Sequence, residues 1–214
     1  MAIFSISQSE SGQKQLSLQS PVDLSHIDTY DCATKEDIAQ VMTNAKIAQA
    51  QWKKTSLKDR AALIHRVADV VIQQQDLIME VVMRETGKPI QEAMSMEVFS
   101  AVDSLVFYAN RAEKWLRDKK IKMHGPMKFL KKTIITYKPR GVVAVITPWN
   151  GPFILSINPV IQAILCGNSV VVKPSEVTPM SGALVQEIFA LADAPRHLVQ
   201  TLIGDGETGA ELIN

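Results

Sequence analysis

GVVAVITPWNGPFILSINPVIQAILCGNSVVVKPSE, residues 141–176, decides the reading of this chain. Val142–Ile146 and Ser169–Lys173 are short apolar runs rich in β-branched residues. Each runs into a proline-bearing polar turn, Pro148-Trp149-Asn150-Gly151-Pro152 after the first and Lys173-Pro174-Ser175-Glu176 after the second. Runs of this length bounded by turn signals predict buried strands, and the apolar stretch near Ser156–Cys166 predicts the helix that joins them. Strand, helix and strand in succession put both turns at the carboxyl ends of neighbouring strands, where open α/β sheets bind ligands. The pattern repeats downstream, with a helix near Pro179–Ala192, a strand at Leu198–Ile203 and a helix from about Glu207. Such alternation implies right-handed crossovers and a parallel sheet. Three strands amount to half of a doubly wound dinucleotide fold.

Upstream, the period changes from two to 3.6. A first helix is expected from about Thr34 to Lys54, opened by a capping-box relation between Thr34 and Asp37. Ile38, Val41, Met42, Ala45, Ala48 and Trp52 form its stripe. A second is expected to start at Ser56 and Asp59 and run unbroken toward Glu85, with Gly87 as its left-handed C-terminal cap. A third opens at Pro89 in its first turn and runs toward Trp115. Between Lys120 and Arg140 a Gly125-Pro126 turn separates two segments, the second β-rich over Thr133–Tyr137, which predicts an extended two-stranded arm. A lone hairpin is marginal in water, so the arm is expected to pack on something, another subunit included. Residues 1–20 are polar and Ser/Gln-rich and are expected to be poorly ordered.

Composition narrows the function classes. With 46% apolar and 21% charged residues over 214 positions, the chain has the profile of a soluble globular protein. A net charge of +1 gives no bulk attraction to nucleic acid or a membrane surface. The local excess Lys119, Lys120, Lys122, Lys128, Lys131 and Lys132 reads as the solvated face of the arm. No apolar run reaches the ~18 residues that span a bilayer, and no basic region followed by an apolar one marks a secretory leader. Cys32 and Cys166 are far apart and form no CxxC, which fits a reducing, cytoplasmic setting. His26, His65, His124 and His197 are scattered, so no metal is expected.

Four features carry chemistry, and each has a plainer reading beside it. Asn150 is either a turn residue or a side-chain amide donor to a developing oxyanion. Lys173 and Glu176 are either a solvated strand end or a donor–acceptor pair suited to the hydroxyls of an adenosine ribose. In the second case the carboxylate would disfavour a ribose 2′-phosphate, tilting the choice toward NAD over NADP. Gly204-Asp205-Gly206-Glu207-Thr208-Gly209 matches G-x-G-x-x-G between a strand and a helix. Yet two carboxylates are a poor setting for a pyrophosphate, so the turn reads as a close approach near a cofactor and not as its phosphate grip. Cys166 ends an apolar helix with no basic residue adjoining it in sequence, which favours a structural thiol over a nucleophile.

ITPWNGP, CGNSVVVKPSEVTP and GDGETGAELI resemble the N-terminal cofactor-domain half of the aldehyde dehydrogenase superfamily, and RETGKP at 84–89 looks like the same family. The resemblance covers about residues 20 to 214. It implies an α/β fold, namely the N-terminal half of a doubly wound Rossmann-like cofactor domain with three leading helices and a β-hairpin oligomerisation arm. It also implies oxidation of an aldehyde to a carboxylic acid with NAD(P)+, through a cysteine thiohemiacetal and thioester. Carried over, Asn150 is the oxyanion donor. Ile146, Thr147, Pro148 and Trp149 line the nicotinamide end, Lys173, Ser175 and Glu176 lie at the adenosine ribose, and Gly206 lies near the adenine. Residues 120–137 would join subunits into a homo-oligomer.

The expected division is 1–20, a poorly ordered segment; 21–118, the helical part of the cofactor domain; 119–140, the arm; and 141–214, a truncated parallel α/β part. Two departures from the family pattern stand out. Gly151 occupies a position that is usually aromatic, which widens the substrate tunnel if the position lines it. The family's catalytic cysteine, general-base glutamate and phosphate turn are absent from these residues. The chain is therefore expected to be inactive alone, the alternative being a non-catalytic nucleotide-binding or assembly module that pairs with full-length homologues.

Overall fold

The computed structural model describes residues 3–9 and 12–214. Three antiparallel strands come first: β1 (Phe4–Gln8), β2 (Lys14–Gln19) and β3 (His26–Asp31), with β2 in the middle. The helices α1 (Lys35–Trp52), α2 (Leu57–Gln73) and α3 (Gln75–Thr86) follow. A short helix α4 (Ile90–Glu92) then passes through a π-helical stretch, Ala93–Phe99, into α5 (Ser100–Leu116). The strands β4 (Lys119–Ile121) and β5 (Thr133–Ile135) pair antiparallel as the arm. The remainder alternates as β6 (Val142–Ile146), α6 (Ile154–Leu165), β7 (Ser169–Lys173), α7 (Pro179–Leu191), β8 (Val199–Thr201) and α8 (Gly206–Ile213).

The sheet β6-β7-β8 is parallel throughout, in the register Val142↔Ser169, Ile146↔Lys173 and Val172↔Thr201. Every residue of β7 is buried. Val170 and Val172 face the large core that includes Ile157, Ile161 and Ile164 of α6 and Val185 and Phe189 of α7. Val171 points the other way, onto Ile38 and Ala45 of α1 and Leu212 of α8. Helices cover both faces, as a parallel sheet requires. The outer helices α2 and α5 pack on each other and continue the same core.

Four expectations need correction. Residues 1–20 were expected to be poorly ordered, but Phe4–Gln8 and Lys14–Gln19 are paired strands; Met1, Ala2, Glu10 and Ser11 lie outside the described residues. Leu16 and Leu18 are buried with Cys32 against Met180 and Ile203, so one alternating face of β2 finds an apolar partner that its polar composition conceals. The segment 21–118 is accordingly not all helical, since it contains β3. The helix expected to run unbroken from Ser56 to Glu85 breaks at Gln74 (φ −99°, ψ 13°). Unbroken, it would extend about 45 Å and run off the sheet; the break lets α3 turn back onto α7. Pro89 caps α4 in an extended conformation (ψ 154°) and does not lie inside its first turn.

Two predicted caps do form. Thr34 and Asp37 exchange the bonds of a capping box, and Gly87 closes α3 at φ +71°. Residues of the leading helices also satisfy the carbonyls at the end of α6. Trp52 Nε1 donates to Ile164 O at 2.9 Å, Arg60 Nη1 to Leu165 O at 3.2 Å and Gln49 Nε2 to Gly167 O at 3.1 Å. Buried helix ends need such partners.

The turn after β7 is held by close packing. A Cβ on Gly182, in α7, would overlap Pro174 Cβ, whereas a Cβ on Gly206 would meet nothing within 4 Å. Gly182→Ala is expected to lower stability in urea denaturation by about 1–3 kcal/mol, as overpacking of a fixed core does. Gly206→Ala should change it by less than ~0.5 kcal/mol, the usual range for open surface sites.

Candidate functional site

β6 and β7 end side by side, and the register pairing Ile146 with Lys173 sets the two polar turns next to one another. The ladder runs one residue further, with Thr147 N donating to Lys173 O at 3.1 Å. Lys173 is 3% exposed, and its Nζ reaches Glu176 Oε2 at 3.4 Å. The aliphatic stem is thus sheathed while the ammonium meets its carboxylate at the strand end. Ser175 Oγ accepts from Val177 N at 3.3 Å and shapes the same turn. Ile146 and Trp149 are both more than half exposed, and Pro148 is also at the surface. Thr147 is buried, its hydroxyl 2.9 Å from Ser156 Oγ, which donates to Pro152 O at 2.6 Å.

Helix α8 approaches from the third strand. A Cβ on Gly209 would lie 3.8 Å from Lys173 Cδ and 3.9 Å from Ile146 Cδ1, so α8 packs directly beside both residues. Gly206 is exposed at the first position of α8. Ile146, Lys173 and the Gly206–Gly209 turn therefore converge at one end of the sheet.

The N–H groups of the sheet helices are spoken for. Asp205 caps α8, its Oδ1 accepting from Glu207 N at 3.0 Å and Thr208 N at 3.1 Å. Lys14, from β2, reaches Asp205 at 2.9 Å and Glu207 at 2.6 Å. Burial pushes the Asp205 carboxyl up, but the Lys14 bond and the Thr208 N–H pull it net below the usual carboxylate range. A G-x-G-x-x-G turn in which a carboxylate already holds two of the first amides is a poor seat for a pyrophosphate. At α7, Glu85 accepts from Met180 N at 2.7 Å and from Ser181 N and Oγ. At α6, Glu97 Oε2 accepts from Phe153 N at 3.1 Å and Ile154 N at 2.9 Å.

Asn150 sits in the exposed turn before α6. Its carbonyl accepts from Lys88 Nζ at 2.8 Å, and its side-chain amide has no hydrogen-bond partner among the described residues. Gly151 is buried, and a Cβ there would lie 3.2 Å from Leu155 Cγ and Cδ1. The room expected from Gly151 is thus bounded by Leu155, itself 38% exposed.

Neither thiol is set up as a nucleophile. Burial raises Cys32 above its ordinary value. It also raises Cys166, although here the fold supplies a cation that the sequence neighbours lack: Arg60, whose charge lowers the thiol but not enough to offset burial. Among the described residues no group of three or more His, Cys, Asp or Glu is disposed to hold a metal ion. None of their helices is long and apolar enough to cross a membrane.

This geometry has known counterparts. The family model described as "Aldehyde dehydrogenase family" matches residues 7–214. The chain belongs to the aldehyde dehydrogenase family. It is 36% identical over 196 residues to a 4,4'-diapolycopene aldehyde oxidase of Methylomonas sp., covering 91% of this chain and 37% of that protein. It is also 36% identical over 178 residues to a putative NADP+ succinate-semialdehyde dehydrogenase of Mycolicibacterium smegmatis, covering 83% and 34%. Among solved structures, a NAD-dependent benzaldehyde dehydrogenase from Corynebacterium glutamicum superposes with TM-score 0.83 at 28% identity, over 95% of this chain and 43% of that one. An NADP-dependent glyceraldehyde-3-phosphate dehydrogenase from Bacillus halodurans, complexed with NADP, superposes with TM-score 0.85 at 27% identity, over 96% and 43%. The chain therefore spans roughly a third of the length of the curated aldehyde dehydrogenase relatives.

Sequence reasoning assigned no role to Lys14, Glu85, Lys88 or Glu97. The signal available was a carboxylate on an apolar helical stripe, as at Glu85 beside Val81 and Val82 and at Glu97 beside Val98. A carboxylate on a buried face needs donors from elsewhere in the fold.

Burial pushes Glu85 up to about 7 against the opposing pull of the Ser181 and Met180 donors. A carboxyl raised on folding costs nothing below its unfolded pKa and destabilises increasingly as pH rises toward the folded value. The stability difference between wild type and Glu85→Gln should therefore shift against wild type between about pH 4.5 and 7, by on the order of 3 kcal/mol at most. Urea denaturation across that range checks it. A pH-independent difference would contradict the assignment.

Proposed function

We propose that residues 141–214 are the cofactor-side half of the active site of an NAD(P)-dependent aldehyde dehydrogenase. The observation that carries this reading is that the turn bearing Asn150 and the turn bearing Lys173 leave the ends of two paired strands, with Gly209 of α8 close beside Lys173. In this reading the Lys173 ammonium and Glu176 carboxylate hold the two hydroxyls of the adenosine ribose, with Ser175 shaping the turn. Thr147, Pro148, Ile146 and Trp149 flank the nicotinamide end, and Gly206 leaves room for the adenine. The names of the relatives and structural neighbours, both NAD- and NADP-dependent, support either dinucleotide. Bound NAD(P)+ would supply the hydride acceptor. Asn150 would donate its side-chain N–H to the oxyanion formed as a thiolate adds to the aldehyde carbon, and it would hold that charge until the carbonyl re-forms. A preorganised donor of this kind is worth ~10²–10³ in turnover.

The fit of these residues to the dinucleotide is partial. The ribose and nicotinamide ends have their partners, but the N-termini of α6, α7 and α8 are each capped by a carboxylate, leaving no helix terminus in this sheet for the pyrophosphate. With Cys32 and Cys166 both raised, no thiolate is supplied either. The 214 residues by themselves should therefore form no NADH from any aldehyde. The arm 119–140, with Ile121, Ile134, Ile135 and Tyr137 exposed, is assigned to subunit association in a cytoplasmic homo-oligomer. Gly151, with Leu155 as its neighbouring wall, is assigned to the aldehyde passage. In a complete enzyme that carries these residues, an aldehyde preference confined to the smallest substrates would count against that.

The second reading, an assembly module that pairs with full-length homologues, is favoured by the same exposed arm. DNA sequence beyond codon 214 separates the two: an in-frame domain bearing a cysteine supports the enzyme, and a stop codon supports the module. For the chain itself, NAD+ at millimolar concentration should give fast-exchange NMR shifts confined to 146–149, 173–176 and 204–209. Lys173→Met should abolish them. Tight stoichiometric binding by calorimetry, or shifts centred elsewhere, would overturn the site assignment.

A further inference from the structure

Lys88 and Glu97 lie outside the sheet yet touch the site turn at both of its ends. Lys88 sits in the Gly87-Lys88-Pro89 linker between α3 and α4, and Glu97 sits in the π-helical stretch. The Lys88 Nζ to Glu97 Oε1 distance is 2.5 Å, and the side chains are 13% and 0% exposed. Glu97 spends its other oxygen on Phe153 N and Ile154 N. Lys88 spends a second N–H on Asn150 O, at 2.8 Å. The result is a continuous path from the Asn150 carbonyl through the ion pair to the first amides of α6. Residues 150–154 are the span it closes.

A surface Lys–Glu pair is worth little, but this carboxylate is fully buried, so removing its cation leaves a charge that water cannot reach. The pair therefore resists opening, and whatever it holds is held firmly. What it holds is the peptide plane that follows the Asn150 Cα. With that plane fixed on one side and the helix start on the other, the direction of the Asn150 Cα–Cβ bond is set by the backbone. The amide beyond it has no partner of its own to aim it. Catalytic donors work when their direction is fixed before reaction, by a supporting layer of packed and hydrogen-bonded groups. The π turn serves this layer, bringing Glu97 onto the buried face together with Ala93 and Val98. Such turns recur where a helix must present one residue out of its regular phase.

We propose that Lys88 and Glu97 are positioning residues for Asn150: one ion pair fixes both ends of the 150–154 turn and thereby sets the direction in which the Asn150 side chain leaves the backbone. The inference rests on the reading of Asn150 as an oxyanion donor. Its test does not, because it reads backbone order in the 214-residue chain. In ¹⁵N relaxation, Asn150 and Gly151 should show order parameters near about 0.85 in the parent protein and below about 0.6 in Lys88→Met, the rigid and flexible ranges respectively. Should Lys88→Met fail to fold, the double variant Lys88→Met/Glu97→Gln removes both charges, keeps an amide oxygen for α6, and should show the same loss at Asn150 and Gly151. Lys88→Arg, which keeps a cation for Glu97, should retain order. Glu85→Gln is the control: it weakens an equally buried cap on α7 and should leave Asn150 and Gly151 rigid. Unchanged order at Asn150 and Gly151 in both Lys88→Met and the double variant overturns the proposal. So does equal loss in Glu85→Gln, which would mark a general loosening. If order is lost as expected while NAD+ shifts no resonance, the positioning stands and the dehydrogenase reading fails. If NAD+ binds as expected and order is not lost, the positioning alone fails.

Discussion

Helix α6 is anchored at both ends by residues that precede the sheet in sequence, and the site depends on that anchoring. At its start, Glu97 takes the free N–H groups of Phe153 and Ile154. At its end, Trp52, Arg60 and Gln49 take the carbonyls of Ile164, Leu165 and Gly167. These groups are buried, so each would carry a desolvation cost if left unpaired. The helix follows directly from the turn that holds Asn150 and leads directly into β7, which ends at Lys173. Fixing α6 fixes the spacing between the two polar turns. The leading helices are therefore part of the site's construction as well as a cover for the sheet.

The same device recurs around the sheet. Glu85 from α3 caps α7, and Asp205 caps α8 while bound by Lys14 of β2. Three helix starts facing the cleft thus carry protein carboxylates where many dinucleotide folds present a helix start to phosphate. The consequence is electrostatic. Each cap neutralises the partial positive charge of its helix terminus, so an anion gains little by approaching there. The cleft instead offers one buried ammonium, Lys173, already shared with Glu176. A donor and an acceptor side by side match a hydroxyl, which can both accept and donate, better than a phosphate, which can only accept.

What the sequence made legible follows from how local each determinant is. The strands Val142–Ile146 and Ser169–Lys173 were readable to the residue because continuous β-branched runs end at prolines. The Thr34 box and the Gly87 cap were readable because their partners lie within a few residues. The paired β1 and β2 were not. The inward leucines of β2 alternate with Ser and Gln, and part of what buries them, Met180 and Ile203, lies more than 160 positions away. The break at Gln74 was hidden for the related reason that helical periodicity continues across it, while the packing on α7 that bends the chain is long-range. Within the site, Asn150, Lys173 and Glu176 announced themselves by standing in turns, whereas Lys88 and Glu97 acquire meaning only through partners 62 and 56 positions distant.

The G-x-G-x-x-G match at Gly204–Gly209 shows the same division. Spacing and context alone pass the turn as a phosphate loop, and charge alone argues against it. The structure gives the charge argument a mechanism: Asp205 occupies the amides itself, and Lys14 offsets both carboxylates from a strand almost 200 residues earlier. The glycines keep a different use. A Cβ on Gly204 would overlap the Thr208 hydroxyl, so this glycine lets the turn close tightly onto its own helix. Gly209 lies against the stem of Lys173. A motif defined by absent side chains can be satisfied by any close approach. Here the approach is helix to strand, with Gly209 of α8 set close beside Lys173 and Ile146.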